Sequence, residues 1–297
     1  DRGDHSVAQN GLRFILDSRR SDGSWPIDTN LATWNTTLAI NACAGAGEDV
    51  SDWPCWDWVM SCQHTERHPF TGADPGGWGW TDLSGAVPDA DDTPSALLAM
   101  HACYLKLDRE NSRREQLESA AAAGISWLLG LQNRDGGWPT FCRGWGKLPF
   151  DRSGSDLTAH AMRALAAWTS EAAGDLGNDH RPLGNKFRPD RIERAMQRGA
   201  RYLARHQRED GSWLPLWFGN QDHPKEDNPV YGTSKVLFCY RDLGQIETSV
   251  ARRGLVYLAN AQNSDGGWGE GPSSVEETSL AVEALLAAQN QQELERQ

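Results

Sequence analysis

The chain of 297 residues has no long apolar segment and no excess of basic residues. No stretch approaches the ~18 consecutive apolar residues of a membrane-spanning helix, so we expect no transmembrane segment. With a formal net charge of −12, the chain lacks the basic footprint of nucleic-acid-binding proteins, and no nucleic-acid partner is expected. Its six cysteines include no CxxC pair, which favours reduced thiols in a cytoplasmic protein over a disulfide framework.

Strand-forming residues are also scarce, because valine and isoleucine are sparse beside alanine and leucine. In contrast, the chain has 14 tryptophans, and an internal repeat accounts for some of them. The repeat consists of an aromatic residue, a glutamine five positions later, and a glycine-rich turn that ends in tryptophan; residues 127–138 and 257–268 are the fullest copies. Five turns end in this way, at Trp25, Trp78, Trp138, Trp213 and Trp268.

After each turn a threonine opens a second segment, rich in alanine and leucine, whose apolar residues have helical spacing. A threonine hydroxyl at that position can cap an orphan backbone N–H. The sequence therefore predicts an all-α fold of five helix–turn–helix units, or about ten helices. Such units form either an open solenoid or a closed α/α toroid, and the insertions at 64–75, 172–190 and 218–229 favour a toroid with functional loops. The threonines are Thr36, Thr93, Thr158, Thr233 and Thr278.

Three aspartates stand together just before the second of these helices, in the segment 87–93, VPDADDT. An acidic cluster at a helix N-terminus is common, and by itself it can be purely structural. Adjacent carboxylates that are also buried cannot all ionise, so one of them is expected to have a raised pKa and to keep its proton. A group of this kind can act as an acid.

The repeat resembles the QW motif of squalene–hopene and oxidosqualene cyclases, and segment 87–93 resembles the DxDD motif of class II terpene cyclases. The resemblance covers about residues 11–286. It implies an α6-α6 barrel and an isomerase that cyclises squalene or a related polyprenoid by protonating a terminal alkene, without metal or cofactor. By the same resemblance, Asp91 is the proton donor and its neighbours Asp89 and Asp92 tune its pKa.

The segment 155–160, SDLTAH, resembles the family segment whose histidine hydrogen-bonds to the catalytic aspartate. Asp156 and His160 are four residues apart, so on a helix they share a face. We therefore expect His160 to donate a hydrogen bond to Asp91, and Asp156 to orient or charge the imidazole.

Carbocation chemistry needs a dry pocket lined by aromatic faces. By the same resemblance, five aromatic residues are expected to line such a pocket. Trp80 stands where phenylalanine is expected, Phe141 where tyrosine is expected, and Asn35 where aspartate is usual, which leaves the product and the substrate open. The predicted substrate-binding residues are Trp34, Trp80, Phe141, Trp217 and Tyr231.

Family cyclases contain two α-barrel domains, and residues 1–297 resemble only the one that carries the DxDD acid. A sixth repeat and the second barrel are not found in this sequence. We therefore expect a single α/α-barrel domain that works with a missing domain or an oligomeric partner. The family docks on membranes through a nonpolar plateau around its channel entrance, so the resemblance also implies peripheral contact of the full-length protein with the inner membrane, although this sequence shows no candidate for such a plateau.

Three alternatives were compared with this interpretation. A protein prenyltransferase β-like subunit needs an aspartate followed two residues later by a zinc-ligating cysteine, and the sequence has none. A class I terpene synthase needs a DDxxD-like magnesium site, but Thr93, Pro94 and Ser95 follow Asp92. A non-catalytic α/α toroid that serves as a binding or scaffold module remains open.

Overall fold

The computed structural model describes residues 6–17, 21, 30–140, 149–169, 183, 187, 189–269 and 271–294. The chain divides into two units, residues 1–31 and 32–297. The first contains helix α1, Ser6–Asp17. The helices described in the second unit are α2 (Ala32–Gly45), α3 (Trp56–Ser61), α4 (Asp92–Lys106), α5 (Arg113–Leu131), α6 (Ser155–Thr169), α7 (Pro189–His206), α8 (Pro229–Asp242), α9 (Ser249–Asn260) and α10 (Val275–Leu294).

The long helices of the second unit alternate between an inner and an outer layer. The inner helices α2, α4, α6, α8 and α10 pack each against the next, and α5, α7 and α9 lie against α4, α6 and α8 from outside. Two short antiparallel strands, β1 (Trp138–Pro139) and β2 (Ser153–Gly154), join a turn to the start of α6. This arrangement confirms the predicted all-α, α/α-toroid class. No helix in the described ranges is long and apolar enough to cross a bilayer.

The threonine of each repeat fixes the tryptophan turn to the inner helix. In four repeats its hydroxyl accepts a hydrogen bond from the backbone N–H of the turn tryptophan, at 2.9–3.0 Å. The orphan N–H that it satisfies therefore belongs to the turn, rather than to the threonine's own helix as the sequence suggested. Because the same bond recurs, the repeat threonine has the same position relative to its turn in all four inner helices. Residues at equal distances from these threonines are therefore equivalent, and this is the common frame of the inner helices. The pairs are Thr93–Trp78, Thr158–Trp138, Thr233–Trp213 and Thr278–Trp268.

The turn tryptophans are fully anchored. Each of the four donates its indole N–H to a carbonyl of the preceding outer segment, at 2.7–2.9 Å. The ring edge then packs on a glycine of the next outer helix. A Cβ added at Gly254 would lie 2.8 Å from the Trp213 ring, and Gly124 and Gly199 approach the preceding ring in the same way. This close approach explains why a glycine recurs three residues before the aromatic residue of the repeat.

The repeat glutamine joins one unit to the next. The Gln132 side-chain amide donates to the carbonyls of Gly136, in its own turn, and Ala195, in α7, both at 2.8 Å. Gln63 and Gln207 make the corresponding pair of bonds at their own positions. The glutamines and tryptophans therefore hold neighbouring units together.

Candidate active site

The acidic cluster is held by its own backbone at the start of α4. The carboxylate of Asp89 accepts the N–H groups of Asp91, at 2.9 Å, and Asp92, at 2.7 Å. Asp89 therefore does for this helix what a capping side chain does, satisfying N–H groups that have no partner within the helix. The bonds fix the conformation of the segment that presents Asp91, whose own side chain makes no capping hydrogen bond.

His160 lies on α6, the inner helix packed against α4, and its imidazole faces Asp91. Its Nδ1 is 3.2 Å from Oδ1 of Asp91, and the two side chains are only 11% and 20% exposed. The structure thus brings together the two residues that the sequence paired. An acid–imidazole contact of this geometry can hold a proton on either partner.

Asp156 does not make the contact predicted for it. No hydrogen bond joins it to His160, and its Oδ1 has no hydrogen-bond partner among the described residues. Although the two residues share a face of α6, the imidazole nitrogen is directed at Asp91. Instead, burial and the charge of the Asp91 carboxylate raise the pKa of Asp156 to about 7.

The four carboxyl groups of the site divide into two kinds. Burial raises the pKa of Asp92 well above its usual range, reinforced by the charges of Asp89 and Asp91. Burial likewise raises the pKa of Asp89 to about 7, although its hydrogen bonds to Asp92 oppose the change. With Asp156, three carboxyls around Asp91 therefore tend to keep their protons near neutral pH.

The pKa of Asp91 is lowered, whereas the sequence suggested that neighbouring carboxylates would raise the pKa of the acid. Burial acts to raise its pKa, but the hydrogen bond and charge of His160, together with the charge of Lys235, outweigh burial and lower it. The pKa of His160 is lowered by burial, against the influence of Asp91. The site therefore pairs a strongly acidic carboxyl with a weakly basic imidazole, and both release a proton readily.

Three aromatic rings form a continuous group near the starts of α2 and α8. The centroid of the Phe218 ring lies 6.1 Å from that of Trp34 and 4.9 Å from that of Tyr231. Trp34 and Tyr231 were predicted from the sequence, whereas Phe218 was missed. The available signal was its place beside Trp217 in the 218–229 insertion.

The other predicted aromatic residues are placed differently. Trp217 is 40% exposed and its ring stacks on that of Phe150, with centroids 4.6 Å apart. Trp80 is partly buried, and its backbone carbonyl accepts the N–H of Trp34 at 3.3 Å. Phe141 lies outside the described residues. Substrate binding by any of the five therefore remains a prediction.

The common frame of the inner helices explains which side chains converge. Asp91, Asp156, Tyr231 and Glu276 each stand two residues before the repeat threonine of their own helix. Burial raises the pKa of the Tyr231 hydroxyl well above its usual range, and the charges of Asp91, Asp156 and Glu276 raise it further. Asp91, Asp156 and Tyr231, from three successive units, therefore lie close enough for their charges to interact, whereas Glu276 is exposed and acts on Tyr231 through its charge. Within the described ranges, no three His, Cys, Asp or Glu side chains are arranged to hold a metal ion.

Comparison with known proteins identifies the class. Residues 31–292 match the squalene–hopene cyclase C-terminal domain family. The chain belongs to this family.

The similar proteins differ in what they make. The chain is 27% identical to a squalene–hopene cyclase of Bradyrhizobium diazoefficiens over 86% of the chain and 39% of that protein. It is 30% identical to a drimenyl diphosphate synthase of Streptomyces showdoensis over 92% of the chain and 43% of that protein. A terpene cyclase–glycosyl transferase fusion protein of Humicola fuscoatra is 28% identical over 95% of the chain and 23% of its own length. The chain thus spans less than half of each of these relatives.

Solved structures support the fold alone. The type II terpene cyclase MstE from Scytonema, in a variant bound to geranylgeranyl dihydroxybenzoate, aligns with a TM-score of 0.55 at 17% identity, over 94% of this chain and 71% of that one. A GH76 α-mannanase from Bacteroides thetaiotaomicron aligns with a TM-score of 0.56 at 14% identity, over 95% of this chain and 77% of that one. Because the α/α architecture also occurs in a glycosidase, function must be argued from the site.

Proposed function

We propose that the protein is a proton-initiated terpene cyclase that converts squalene or a related polyprenoid into a polycyclic product. The observation that carries the proposal is the contact between His160 and Asp91, 3.2 Å apart, among three carboxyls with raised pKa. An alkene is a very weak base, so its protonation needs a strong acid in a site from which water is excluded. Burial acts to raise the pKa of Asp91, but His160 and Lys235 lower it, so Asp91 in its protonated form is a stronger acid than an ordinary carboxyl.

In the first step the O–H bond of protonated Asp91 breaks and its proton forms a C–H bond with the terminal alkene. The two π electrons form that bond, the neighbouring carbon becomes a tertiary cation, and Asp91 is left as a carboxylate. Further alkenes of the chain then attack the cation in turn and close rings, until loss of a proton ends the sequence. His160 holds the carboxyl in position and can return a proton to it.

The rings of Trp34, Phe218 and Tyr231 are suited to the cationic intermediates. Aromatic faces attract a cation electrostatically, by ~0.5–2 kcal/mol each depending on how dry the site is, and they offer no nucleophile that would trap it. Because the three rings adjoin one another, they provide a continuous surface for a cation that moves along the folded substrate.

The proposal is tested by incubating the purified full-length protein, with its second domain or partner, with squalene in detergent and analysing the extract by gas chromatography–mass spectrometry. Farnesyl diphosphate and geranylgeranyl diphosphate would be tested in parallel, with phosphatase treatment before extraction. We expect cyclic products from the wild type and a loss of at least ~100-fold from Asp91→Asn, which keeps the shape of the side chain but removes the acidic proton. Asp108→Asn, at an exposed position beyond the far end of α4, is the matched control and should retain full activity.

If the folded full-length protein, with its second domain or partner, gives no cyclic product from any of these substrates, the proposed chemistry is wrong and the non-catalytic toroid becomes the better interpretation. If Asp91→Asn is as active as the wild type, Asp91 is not the acid.

A further inference from the structure

The charge of a lysine reaches the acidic cluster from a helix that the DxDD and histidine motifs do not include. Lys235 lies on α8, one turn after Tyr231, with its Nζ 5.3 Å from the centroid of the Tyr231 ring. The side chain is partly buried, and among the described residues it has no hydrogen bond and no ion pair. The Tyr231 ring is therefore the partner that the ammonium group has on α8, through a cation–π contact.

The repeat frame gives Lys235 and His160 equivalent positions. Lys235 stands two residues after Thr233, and His160 stands two residues after Thr158. Both threonines hold their turn tryptophan by the same 3.0 Å bond, so the two helices start in the same register. Because α6 and α8 are packed neighbours, Lys235 and His160 leave their helices at equivalent positions of adjacent repeats, and the charge of Lys235 reaches His160.

Several charged groups interact around Asp91. The charge of Lys235 acts on Asp91 and Asp156, in both cases favouring the carboxylate, and also on His160. The other carboxyls close to Asp91 are those of Asp89 and Asp92, at the start of α4. Tyr231 lies on α8 and is affected by the charge of Glu276, on α10. Arg163, on α6, affects His160 through its charge.

We propose that Lys235 is a positioning residue for the acid, whose ammonium stabilises the carboxylate that Asp91 becomes when it gives up its proton. The inference rests on the proposed function, since it concerns the same acid. It extends that function by assigning part of the acid strength to a cation on α8. In this proposal Lys235 does not contact the substrate or the transferred proton. It acts through the electrostatic attraction between its ammonium group and the Asp91 carboxylate.

The direct test does not depend on any substrate. The protein is labelled with aspartate carrying ¹³C at the side-chain carboxyl, and the Asp91 signal, assigned from its absence in Asp91→Asn, is followed as pH is varied. In Lys235→Met we expect the titration midpoint of Asp91 to rise by ~0.5–1 pH unit, a ~3- to 10-fold weaker acid. Lys235→Arg should stay close to the wild type, and Lys106→Met, an exposed lysine at the other end of α4, should leave the midpoint unchanged.

The kinetic test uses whichever polyprenoid the wild type cyclises. We expect the pH above which kcat falls to move up by ~0.5–1 unit in Lys235→Met, with little change in KM, and to return to the wild-type value in Lys235→Arg. A midpoint of Asp91 in Lys235→Met equal to that of the wild type overturns the proposal. So does a rise in KM for a diphosphate substrate at constant kcat, which would make Lys235 a ligand for the substrate's anion. The proposed function and this proposal can fail separately. If the wild type is inactive but the titration midpoint of Asp91 still rises in Lys235→Met, the proposed function is wrong and the role of Lys235 stands.

Discussion

Asp156 gives the sharpest test of the electrostatics of the site. Burial and the Asp91 carboxylate raise its pKa from 3.8 to about 7. A carboxyl whose pKa is higher in the folded than in the unfolded state favours folding below its unfolded pKa, and that contribution is lost as pH rises through the folded pKa. Asp156→Asn cannot ionise, so it should be free of this loss. Relative to the variant, the wild type is expected to lose stability between about pH 4 and pH 8.

The magnitude follows from the shift. One pKa unit corresponds to ~1.4 kcal/mol, so a rise from 3.8 to about 7 makes the free energy of unfolding of the wild type fall by ~4 kcal/mol relative to Asp156→Asn across this range. The difference between the two proteins must be used, because other groups titrate as well. Burial lowers the pKa of His101 to about 4, and this group makes folding more favourable as pH rises through the same range.

The measurement is urea unfolding of both proteins at pH 4.5, 6 and 8, at constant ionic strength, with Asp108→Asn as the exposed control. We expect Asp156→Asn to gain on the wild type steadily with pH, and Asp108→Asn to run parallel to the wild type. If the gap between Asp156→Asn and the wild type changes by less than ~1 kcal/mol over this range, the carboxyl is not held in a buried, charge-repelled state and the reasoning fails.

Two further predictions concern the fastening of the repeats, and equilibrium unfolding checks both. Gly254→Ala places a Cβ 2.8 Å from the Trp213 ring and should cost ~1–3 kcal/mol, whereas Gly130→Ala, in the exposed face of α5 with open space around it, should stabilise by up to ~1 kcal/mol. Equal effects of the two substitutions would contradict the packing argument. Gln132→Leu leaves two carbonyls without their donor and should cost ~2–4 kcal/mol, against ~1 kcal/mol or less for Gln262→Leu, which loses one bond at an exposed site. Comparable losses would show that the bridge to the next outer helix contributes nothing.

The sequence predicted the scaffold well because its information is local and repeated. The spacing of aromatic residue, glutamine, glycine and tryptophan recurs, and each copy specifies a helix end, a turn and a helix start. The contact between His160 and Asp91 was also accessible, since two motifs placed both residues near helix starts. What the spacing could not give was the partner of Asp156, because sharing a face of α6 with His160 does not determine which neighbour an imidazole nitrogen meets.

The ionisation of Asp91 was beyond the sequence for a different reason. It depends on the sum of several opposing effects, and Lys235, on α8, is far away along the chain. Neighbouring carboxylates predicted a raised pKa for one member of the cluster, but the direction at each member is set by distances between helices. Phe218 was missed because an insertion carries no repeat register from which to locate its ring.

The bond between each repeat threonine and its turn tryptophan has a consequence for how such a protein can change. The position two residues before the threonine can change its side chain, because the residues that hold the turn lie elsewhere. At three of these positions the side chain reaches the same site. In this chain these positions hold two carboxyl groups and a phenol that meet at the site, at Asp91, Asp156 and Tyr231, and an exposed carboxyl at Glu276. A single substitution at one of these positions changes the chemistry of the site and leaves the hydrogen bonds of the turns intact. One fold can therefore acquire new substrates one residue at a time.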